Sequence, residues 1–466
     1  MLETIHIYHI NDLHSHFANW PRIVSFVNKK RKEHIDNGEE MFLFDIGDHC
    51  DRIHPITEAT NGQANIEMLN KLRFDAVTIG NNEGITFSHD ALNHLYDNAN
   101  FSVVLSNLYT ECNERPSWVK PYDIIKLKSG CKIAILGVTA FYEEFYGLLQ
   151  WKIKDPFQSL LETIAEVKEH VDFIILLSHL GINEDEMIAK EFPDIDIILG
   201  GHTHHALDNG LKINKTLLAG AGKFGQYVGH VELTIDTEKK ALYQCKASLT
   251  EMETEGKCLE MEKWIIEKTI ECENILSNPV GFLDEQLNMD WFNESAFSTF
   301  LVQSIKEWCD GDIAMVNAGM LLASLSEGVV TRKDLHQICP HPINPCKVYL
   351  KGDELKEIII QSREERVEKL ELKGLGFRGK IMGRMIYDGI EIESERFSDG
   401  KLHVTSVTCK GENLDPNKFY AVATVDMFTF GSLFPAIRNA EQKIYYMPEL
   451  LRDLLAWKMQ SKSIAK

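Results

Sequence analysis

The sequence lacks any apolar run long enough to cross a membrane, and it has little positive charge. It contains 49 Lys and Arg against 70 Asp and Glu, which gives a formal net charge of −21. This balance argues against a nucleic-acid polymer or an anionic membrane surface as the main partner. A small anionic ligand remains compatible with it, because bound metal ions reverse the charge within a site.

The ten cysteines show no Cys-x-x-Cys pair, so the spacing typical of zinc ribbons and redox motifs is missing. We expect reduced, mostly buried thiols, as in a cytoplasmic protein. The first predicted strand begins almost at Met1, with metal-binding residue types directly behind it. This arrangement leaves no room for a cleavable signal peptide and also predicts a cytoplasmic location.

The chain has 466 residues, too many for one ordinary hydrophobic core, and its composition is that of a globular protein. A polar stretch with helical character lies between Gly256 and Pro279 and contains no Gly or Pro. We therefore predict a first domain at 1–250, a linker helix at 251–278 and a second domain at 279–466.

Five predicted strands end in residue types that bind metals. The strands are the apolar runs at 5–10, 41–46, 75–79, 172–177 and 195–199. Loops at the carboxyl ends of such strands converge in α/β proteins. The candidate ligands in these loops are Asp12, His14, Asp48, Asn81, His179, His202 and His204. Carboxylate, imidazole and amide donors without thiolate suit divalent Mn, Zn, Fe or Ni.

Each of these signals has an ordinary structural explanation when it is taken alone. Asp48 after Gly47 is also compatible with a helix N-cap, and Asn81 with a turn. His179 is also compatible with a hydrogen-bonded core histidine. Five such coincidences in order, each at the end of an apolar strand, favour a shared metal centre.

The ordered set Asn-Asp-x-His, Gly-Asp, Gly-Asn-x-Glu, Ser-His and Gly-Gly-His-Thr-His resembles the calcineurin-like binuclear metallophosphoesterases. Within them it resembles the bacterial 5′-nucleotidase family, and most closely its cytoplasmic Gram-positive branch. The resemblance implies an α/β fold, with a sandwich of two mixed sheets flanked by helices. It also implies an α/β C-terminal domain that binds the substrate.

The resemblance further implies two divalent metal ions bridged by Asp48. One ion would be held by Asp12, His14, Asp48 and His204, and the other by Asp48, Asn81, His179 and His202. A hydroxide between the two metals would then attack the phosphate ester of a nucleotide. The sequence leaves the metal, the exact substrate and the oligomeric state open.

One position departs from the family pattern. Asn82 stands where the family has a catalytic histidine, and Ile85 stands where it has the orienting aspartate. Asn82 can donate a hydrogen bond but cannot shuttle a proton, and His49, next to Asp48, is a candidate substitute. Two alternatives follow: a phosphodiesterase acting on cyclic nucleotides or nucleotide-diphosphate derivatives, or a metal- and nucleotide-binding regulator with a decayed catalytic dyad.

The family also grips the base between two aromatic rings. Phe377 is a candidate for one wall, and Phe428, Phe430 and Phe434 are candidates for the other, while Arg378 is a candidate phosphate contact. Base stacking on such rings would contribute a few kcal/mol. Aromatic residues at strand spacing are also typical of a core, so the sequence alone does not choose among them.

Overall fold

The computed structural model describes residues 1–398 and 402–464. The chain divides into two compact units, Met1–Cys272 and a second unit that begins at Glu273. All ten cysteines are free, and most of them are buried. Within the described ranges, the helices are all too short or too polar to cross a membrane.

Within the described residues, the first unit contains fourteen strands and eight complete α-helices, and a ninth α-helix extends beyond its end. Its strands are Leu2–Ile10 (β1), Glu40–Asp45 (β2), Ala76–Val77 (β3), Ser102–Val103 (β4), Leu108–Thr110 (β5), Tyr122–Lys126 (β6), Lys132–Thr139 (β7), Trp151–Ile153 (β8), Phe173–His179 (β9), Ile197–Gly200 (β10), Leu211–Ile213 (β11), Thr216–Ala219 (β12), Tyr227–Asp236 (β13) and Ala241–Glu251 (β14). Its helices are Trp20–Asn37 (α1), Pro55–Thr60 (α2), Gln63–Leu72 (α3), Asn81–Thr86 (α4), His89–Leu95 (α5), Glu143–Leu148 (α6), Pro156–Val167 (α7), Ile182–Glu191 (α8) and Leu259–Leu276 (α9), the last of which crosses the unit boundary.

Two mixed sheets of six strands form the framework of this unit. Their orders are β14-β13-β1-β2-β3-β4 and β11-β12-β10-β9-β7-β6. Strands β1, β2, β3 and β4 are parallel, and β7, β9 and β10 are parallel in the other sheet. Apolar side chains of both sheets form one buried core, in which Ile7 and Phe44 pack with Ile135 and Ile175. The predicted sandwich of two mixed sheets is confirmed.

Helices cover the outer faces of this sandwich. Leu160 of α7 and Ile188 of α8 join a second buried cluster with Leu136 and Leu176 of the sheet. Helix α1 begins with Pro at its first turn and ends at Gly38, whose φ of 76° suits a glycine C-cap. Gly38 therefore ends the helix.

The strand that closes the first unit was missed by the sequence analysis. Strand β14 pairs antiparallel with β13 and forms the edge of the sheet. Alternate residues of β14 are exposed, so it carries no continuous apolar run. A half-exposed edge strand of this kind gives only a weak sequence signal.

The second unit is also α/β. Its strands are Pro279–Leu283 (β15), Ile313–Asn317 (β16), Gly328–Thr331 (β17), Pro345–Lys351 (β18), Met385–Asp388 (β19), Glu391–Arg396 (β20), Leu402–Cys409 (β21), Glu412–Asn413 (β22), Phe419–Val425 (β23) and Lys443–Tyr445 (β24). Its helices are Ala296–Cys309 (α10), Arg332–Ile338 (α11), Gly352–Ser362 (α12), Glu365–Glu368 (α13), Met427–Phe430 (α14), Pro435–Arg438 (α15) and Leu451–Ile464 (α16).

A mixed five-stranded sheet, in the order β19-β16-β23-β18-β24, is the centre of this unit. Only β16 and β23 are parallel neighbours in it, and the other pairs within the described residues are antiparallel. The predicted substrate residues lie in two segments. One follows β23 and includes α14, and the other lies between α13 and β19.

Candidate metal centre

The seven predicted ligands lie at the carboxyl ends of five strands. Asp12 and His14 follow β1, Asp48 follows β2, Asn81 begins α4 after β3, His179 ends β9, and His202 and His204 follow β10. The strands β1, β2 and β3 are neighbours in one sheet, and β9 and β10 are neighbours in the other. The fold therefore brings loops from both sheets to one place.

Most of the ligand positions have a left-handed backbone. The φ angles are 51° at Asp12, 49° at His14, 51° at Asp48, 70° at His202 and 59° at His204. Asp and His tolerate this conformation better than β-branched residues, but each instance costs about 1–3 kcal/mol. Such a concentration of backbone strain is typical of a functional site whose surroundings hold it in place.

Glycines let two of these loops approach each other closely. A Cβ on Gly47 would lie 2.3 Å from the backbone nitrogen of Gly80, and Gly47 has a φ of 87°. A Cβ on Gly80 would lie 2.0 Å from Oδ1 of Asp48. Any larger residue at either position would push the Asp48 loop away from the Asn81 loop.

The ligand atoms of the first predicted group lie close together. His204 Nε2 is 3.3 Å from Asp12 Oδ1 and 3.2 Å from His14 Nε2. Asp12, His14 and His204 are thus arranged so that one ion could contact all three. Asp48 Oδ2 is 3.7 Å from the same His14 nitrogen.

The second group shares Asp48 with the first, and Asp12 of the first group also lies near it. His179 Nε2 lies 3.5 Å from Asp48 Oδ1 and 3.9 Å from Asp12 Oδ1. The ring of His202 lies 5.3 Å from that of His179, measured between centroids. The two oxygens of Asp48 therefore face histidines of different groups, as a bridging carboxylate would.

Two buried atoms in this second group have no hydrogen-bond partner among the described residues. They are Oδ1 of Asn81 and Nε2 of His179. An unsatisfied buried polar atom costs roughly 1–3 kcal/mol, so a partner is expected for each. An amide oxygen and an imidazole nitrogen are both good ligands for a divalent ion, and the residues present therefore fit one.

The electrostatics of the centre favour a cation. Burial alone would lower the pKa of His14, but the carboxylates of Asp12, Asp51 and Asp48 raise it to about 10. Burial opposes protonation of His179 as well, yet Asp48 and Asp12 raise its pKa to about 9. Without metal, this negative pocket draws protons onto the imidazoles of His14 and His179, and divalent ions would take their place.

Glu83 organises the loops around Asp48. One of its carboxylate oxygens accepts hydrogen bonds from the backbone N–H groups of Asp48 and Gly80, each 2.9 Å long. The other oxygen accepts from the backbone N–H of Cys50 at 2.7 Å. Its place in Gly-Asn-x-Glu was visible in the sequence, but these three donors were not.

The side chain of Asn82 is directed at the ligands. Its Nδ2 lies 2.9 Å from Nδ1 of His14 and 3.1 Å from the carbonyl oxygen of Cys50. Its backbone N–H donates to Oδ1 of Asp48 at 2.7 Å. In this arrangement Asn82 supports the orientation of His14 and Asp48.

His49, the other predicted catalytic residue, lies in the interior. Its ring packs edge-to-face on Trp20 at 5.2 Å, and its Nδ1 lies 3.2 Å from the side-chain nitrogen of Asn65. Burial lowers the pKa of His49 to about 3, so the imidazole is neutral. These contacts are those of a packed core histidine.

Tyr142 is a further residue at the centre that the sequence analysis did not single out. Its Oη lies 3.4 Å from Nε2 of His202, and the side chain is half-buried. Burial raises the pKa of its phenol, so Tyr142 is a neutral hydrogen-bonding group there. The signal in the sequence was only its position in the aromatic stretch 141–151.

The predicted substrate residues lie in the second unit, and three of their aromatic rings are buried. Phe377 stacks on His341 with centroids 5.1 Å apart, and the amide N–H of Arg378 donates to Nδ1 of the same His341. Phe428 and Phe434 pack edge-to-face at 5.2 Å, and Phe434 is fully buried. These three rings offer little or no open face in this structure.

Phe430 is the exception among these aromatics, because 39% of it is exposed. Its loop lies beside the loop of Phe377, since a Cβ on Gly431 would be 3.4 Å from Cδ1 of Leu375. Leu375 is itself about half exposed. The segments that carry Phe430 and Phe377 therefore lie side by side, and Leu375 and Phe430 are exposed apolar side chains there.

Comparisons with known proteins identify relatives of both parts of the chain. A family model described as calcineurin-like phosphoesterase matches residues 5–206, and one for the 5′-nucleotidase C-terminal domain matches residues 279–437. The uncharacterized metallophosphoesterase YunD of Bacillus subtilis (strain 168) is 51% identical over 460 residues, which cover 98% of this chain and 100% of the relative.

Solved structures share the fold over nearly the full length. The NAD nucleotidase NadN of Haemophilus influenzae has a TM-score of 0.71 at 18% identity, covering 99% of this chain and 97% of that one. A 5′-nucleotidase precursor from Thermus thermophilus has a TM-score of 0.62 at 19% identity, with the same coverage. The chain belongs to the calcineurin-like metallophosphoesterases with a 5′-nucleotidase C-terminal domain, a family of hydrolytic enzymes.

Proposed function

We propose that this metallophosphoesterase hydrolyses the phosphate ester of a nucleotide at a centre of two divalent ions. The observation that carries the proposal is the position of Asp48, whose Oδ2 faces His14 at 3.7 Å and whose Oδ1 faces His179 at 3.5 Å. One ion would be held by Asp12, His14, Asp48 and His204, and the other by Asp48, Asn81, His179 and His202. Bound there, the ions would supply an activated water and neutralise charge on the phosphoryl group.

The residues of the chain hold this centre in a fixed geometry. Glu83 accepts hydrogen bonds from the backbone N–H groups of Asp48 and Cys50. The side chain of Asn82 contacts Nδ1 of His14. Since Asn82 cannot transfer a proton, its position supplies no general acid for the leaving oxygen. A nucleotide ester would therefore need another proton source for its sugar oxygen, whereas a leaving group that departs without protonation would not.

This same feature supports a second candidate, hydrolysis of phosphodiesters or nucleotide-diphosphate derivatives. A cyclic nucleotide or other sugar phosphodiester still expels a sugar alkoxide. A nucleotide-diphosphate derivative instead expels a phosphate ester, a weaker base that needs less proton transfer. A structural relative is named for NAD nucleotidase activity, which concerns a substrate of this class. The two candidates share the metal centre and differ in the ester that is cleaved.

Product release from purified protein with Mn²⁺ tests both candidates. The panel would contain nucleoside mono-, di- and triphosphates, cyclic nucleotides, dinucleotides and sugar phosphates. Diesters and dinucleotides need their organic products measured as well as phosphate. Asp48→Asn should abolish turnover, while Asp194→Asn, at an exposed position, should not.

The outcomes separate the proposals. Turnover of nucleoside monophosphates that is lost only in Asp48→Asn would support the 5′-nucleotidase function, and turnover confined to diesters or dinucleotides would replace it with the second candidate. Metal binding without turnover of any ester would favour the regulator alternative.

We also propose the domain bounds and the cellular location that the sequence predicts. The bounds are 1–250 for the metallophosphoesterase domain, 251–278 for the linker helix and 279–466 for the substrate-binding domain. We further propose a cytoplasmic location and a small-molecule partner, with no role for nucleic-acid polymers. Fractionation of the native host, followed by immunodetection, would test the location.

A further inference from the structure

A second cluster of metal-binding residue types lies on the outer face of the first sheet. His6 comes from β1, His34 from the last turn of α1, and Glu39 from the turn that precedes β2. Successive side chains of a strand alternate between faces, so Ile5 and Ile7 enter the sandwich core while His6 faces α1. This cluster plays no part in the proposed phosphoesterase centre.

Three ligand atoms of this cluster converge on one point. Oε2 of Glu39 lies 2.9 Å from Nδ1 of His34 and 3.3 Å from Nε2 of His6, and all three atoms lie within 4.8 Å of one another. Four ligands at 2.0–2.1 Å from a tetrahedral zinc ion are about 3.3 Å apart. The two separations from Glu39 Oε2, 2.9 Å and 3.3 Å, are therefore close to those of a formed metal site.

The remaining nitrogen of each imidazole already has a partner. His6 Nδ1 lies 3.0 Å from Nε2 of His230, and His34 Nε2 lies 3.0 Å from Oη of Tyr8. Histidines that bind metals characteristically use their second nitrogen in this way, because the contact fixes the orientation of the ring. Nε2 of His6 is buried and makes no hydrogen bond within the described residues.

The charges of the cluster suit a divalent cation. The rings of His6 and His34 stack with their centroids 3.8 Å apart. Burial, together with the nearby His34, lowers the pKa of His6, which favours the neutral imidazole that a metal requires. The hydrogen bond from His34 lowers the pKa of Glu39, so its carboxylate is ionised.

We propose that His6, His34 and Glu39 bind one divalent transition-metal ion of the zinc type, in addition to the ions of the phosphoesterase centre. Two imidazoles and a carboxylate form a common zinc ligand set, and water would complete it beside Glu39, whose side chain is 32% exposed. The phosphoesterase ligands Asp12 and His14 follow the end of β1. His6 precedes that end by four residues, which is about 13 Å along a strand. The ion would tie β1 to α1 and to the start of β2.

Metal counting on the full chain tests the proposal. Protein stripped with a chelator would be reloaded with Zn²⁺, freed of excess metal and analysed by mass spectrometry of the bound ions. Glu39→Gln should hold one ion fewer per chain than the unmodified protein, and His34→Gln should lose the same ion. His170→Gln, at an exposed histidine, is the matched control and should lose none.

The comparison between variants does not depend on whether the phosphoesterase centre is filled, because that centre is the same in each. Glu39→Gln is a nearly isosteric change at a partly exposed position, so it remains informative if His34→Gln does not fold. In an Asp48→Asn background, Zn²⁺ should raise the melting temperature, and adding Glu39→Gln should make that rise smaller. An equal metal count in Glu39→Gln and the unmodified protein would overturn the proposal and leave the cluster as a hydrogen-bonded network.

Discussion

The metal centre of the first unit and the aromatic loops of the second unit use their side chains in different ways. The ligands are polar groups held in the interior, and Asp12, Asp48 and His179 are almost completely buried. Burial of such groups is unfavourable unless something compensates it, so residue type alone indicates their function. Phe377 and Phe434 are buried as well, but burial is the ordinary state of a phenylalanine.

This contrast predicts that substitutions at the metal centre will reduce turnover far more than substitutions in the aromatic loops. Asp12→Asn should have the largest effect, because Asp12 contacts histidines of both ligand groups. Oδ2 of Asp12 also accepts hydrogen bonds from the Asn11 side chain and the His202 backbone, and an amide would meet these donors with its own N–H₂. We expect kcat/KM to fall at least about 10³-fold, equivalent to about 4 kcal/mol.

The measurement is steady-state phosphate release with saturating Mn²⁺, together with the number of bound ions. Asp194→Asn serves as the control at an exposed site. If Asp12→Asn retained full activity, the carboxylate would be no ligand and the contrast between the units would fail.

Glu83→Gln should rank second, because it removes a support and leaves every ligand in place. Whichever way the new amide turns, its N–H₂ group would face at least one backbone N–H of the Asp48 loop. Loss of such a supporting group typically costs 10–100-fold in metal affinity or activity, and we expect about that loss in Mn²⁺ affinity. The unmatched donor should also lower stability by about 1–3 kcal/mol.

Titration of the metal-free protein with Mn²⁺, followed by activity, measures the affinity. Glu191→Gln is an exposed control on α8. An unchanged affinity with reduced stability would restrict Glu83 to a structural role.

In the segment that follows β23, Phe430 lies at the surface and Phe434 lies in the core. Phe430→Ala should raise KM for the nucleotide by about tenfold, since stacking on one base contributes about 1–3 kcal/mol. Phe434→Ala should instead lower the free energy of unfolding by about 3–5 kcal/mol, because its ring is fully buried. Kinetics and denaturant melts of both variants measure the two effects, and a reversed pattern would show that the base binds at Phe434.

The strand ends that carry the ligands could be predicted because apolar runs such as β9 and β10 are followed at once by polar residues. The third strand is shorter than expected, Ala76–Val77 against 75–79, because the chain leaves the sheet there to form the loop before Asn81. The contacts of Glu83 could not be predicted, since its partners are backbone N–H groups up to 35 residues away. The edge strand β14 was missed because its exposed residues resemble a loop.

The cluster of His6, His34 and Glu39 shows the same limit at a different kind of position. His6 stands inside a predicted strand and His34 inside helix α1, where single histidines carry no particular signal. Only the packing of α1 on β1 brings His34 and Glu39 to His6. Ligands that come from the interiors of elements are therefore harder to predict than ligands at strand ends.

The smallest effect is expected at Tyr142, which contacts the centre without being a ligand. Tyr142→Phe removes one neutral hydrogen-bonding group 3.4 Å from Nε2 of His202, and such a group contributes about 0.5–1.5 kcal/mol. We expect a two- to tenfold fall in kcat/KM with an unchanged number of bound ions. Tyr243→Phe, at an exposed tyrosine, should leave kcat/KM unchanged. Because the phenol lies beside His202 and is not itself a ligand, a loss as large as that of Asp12→Asn would mean that Tyr142 acts on the substrate itself.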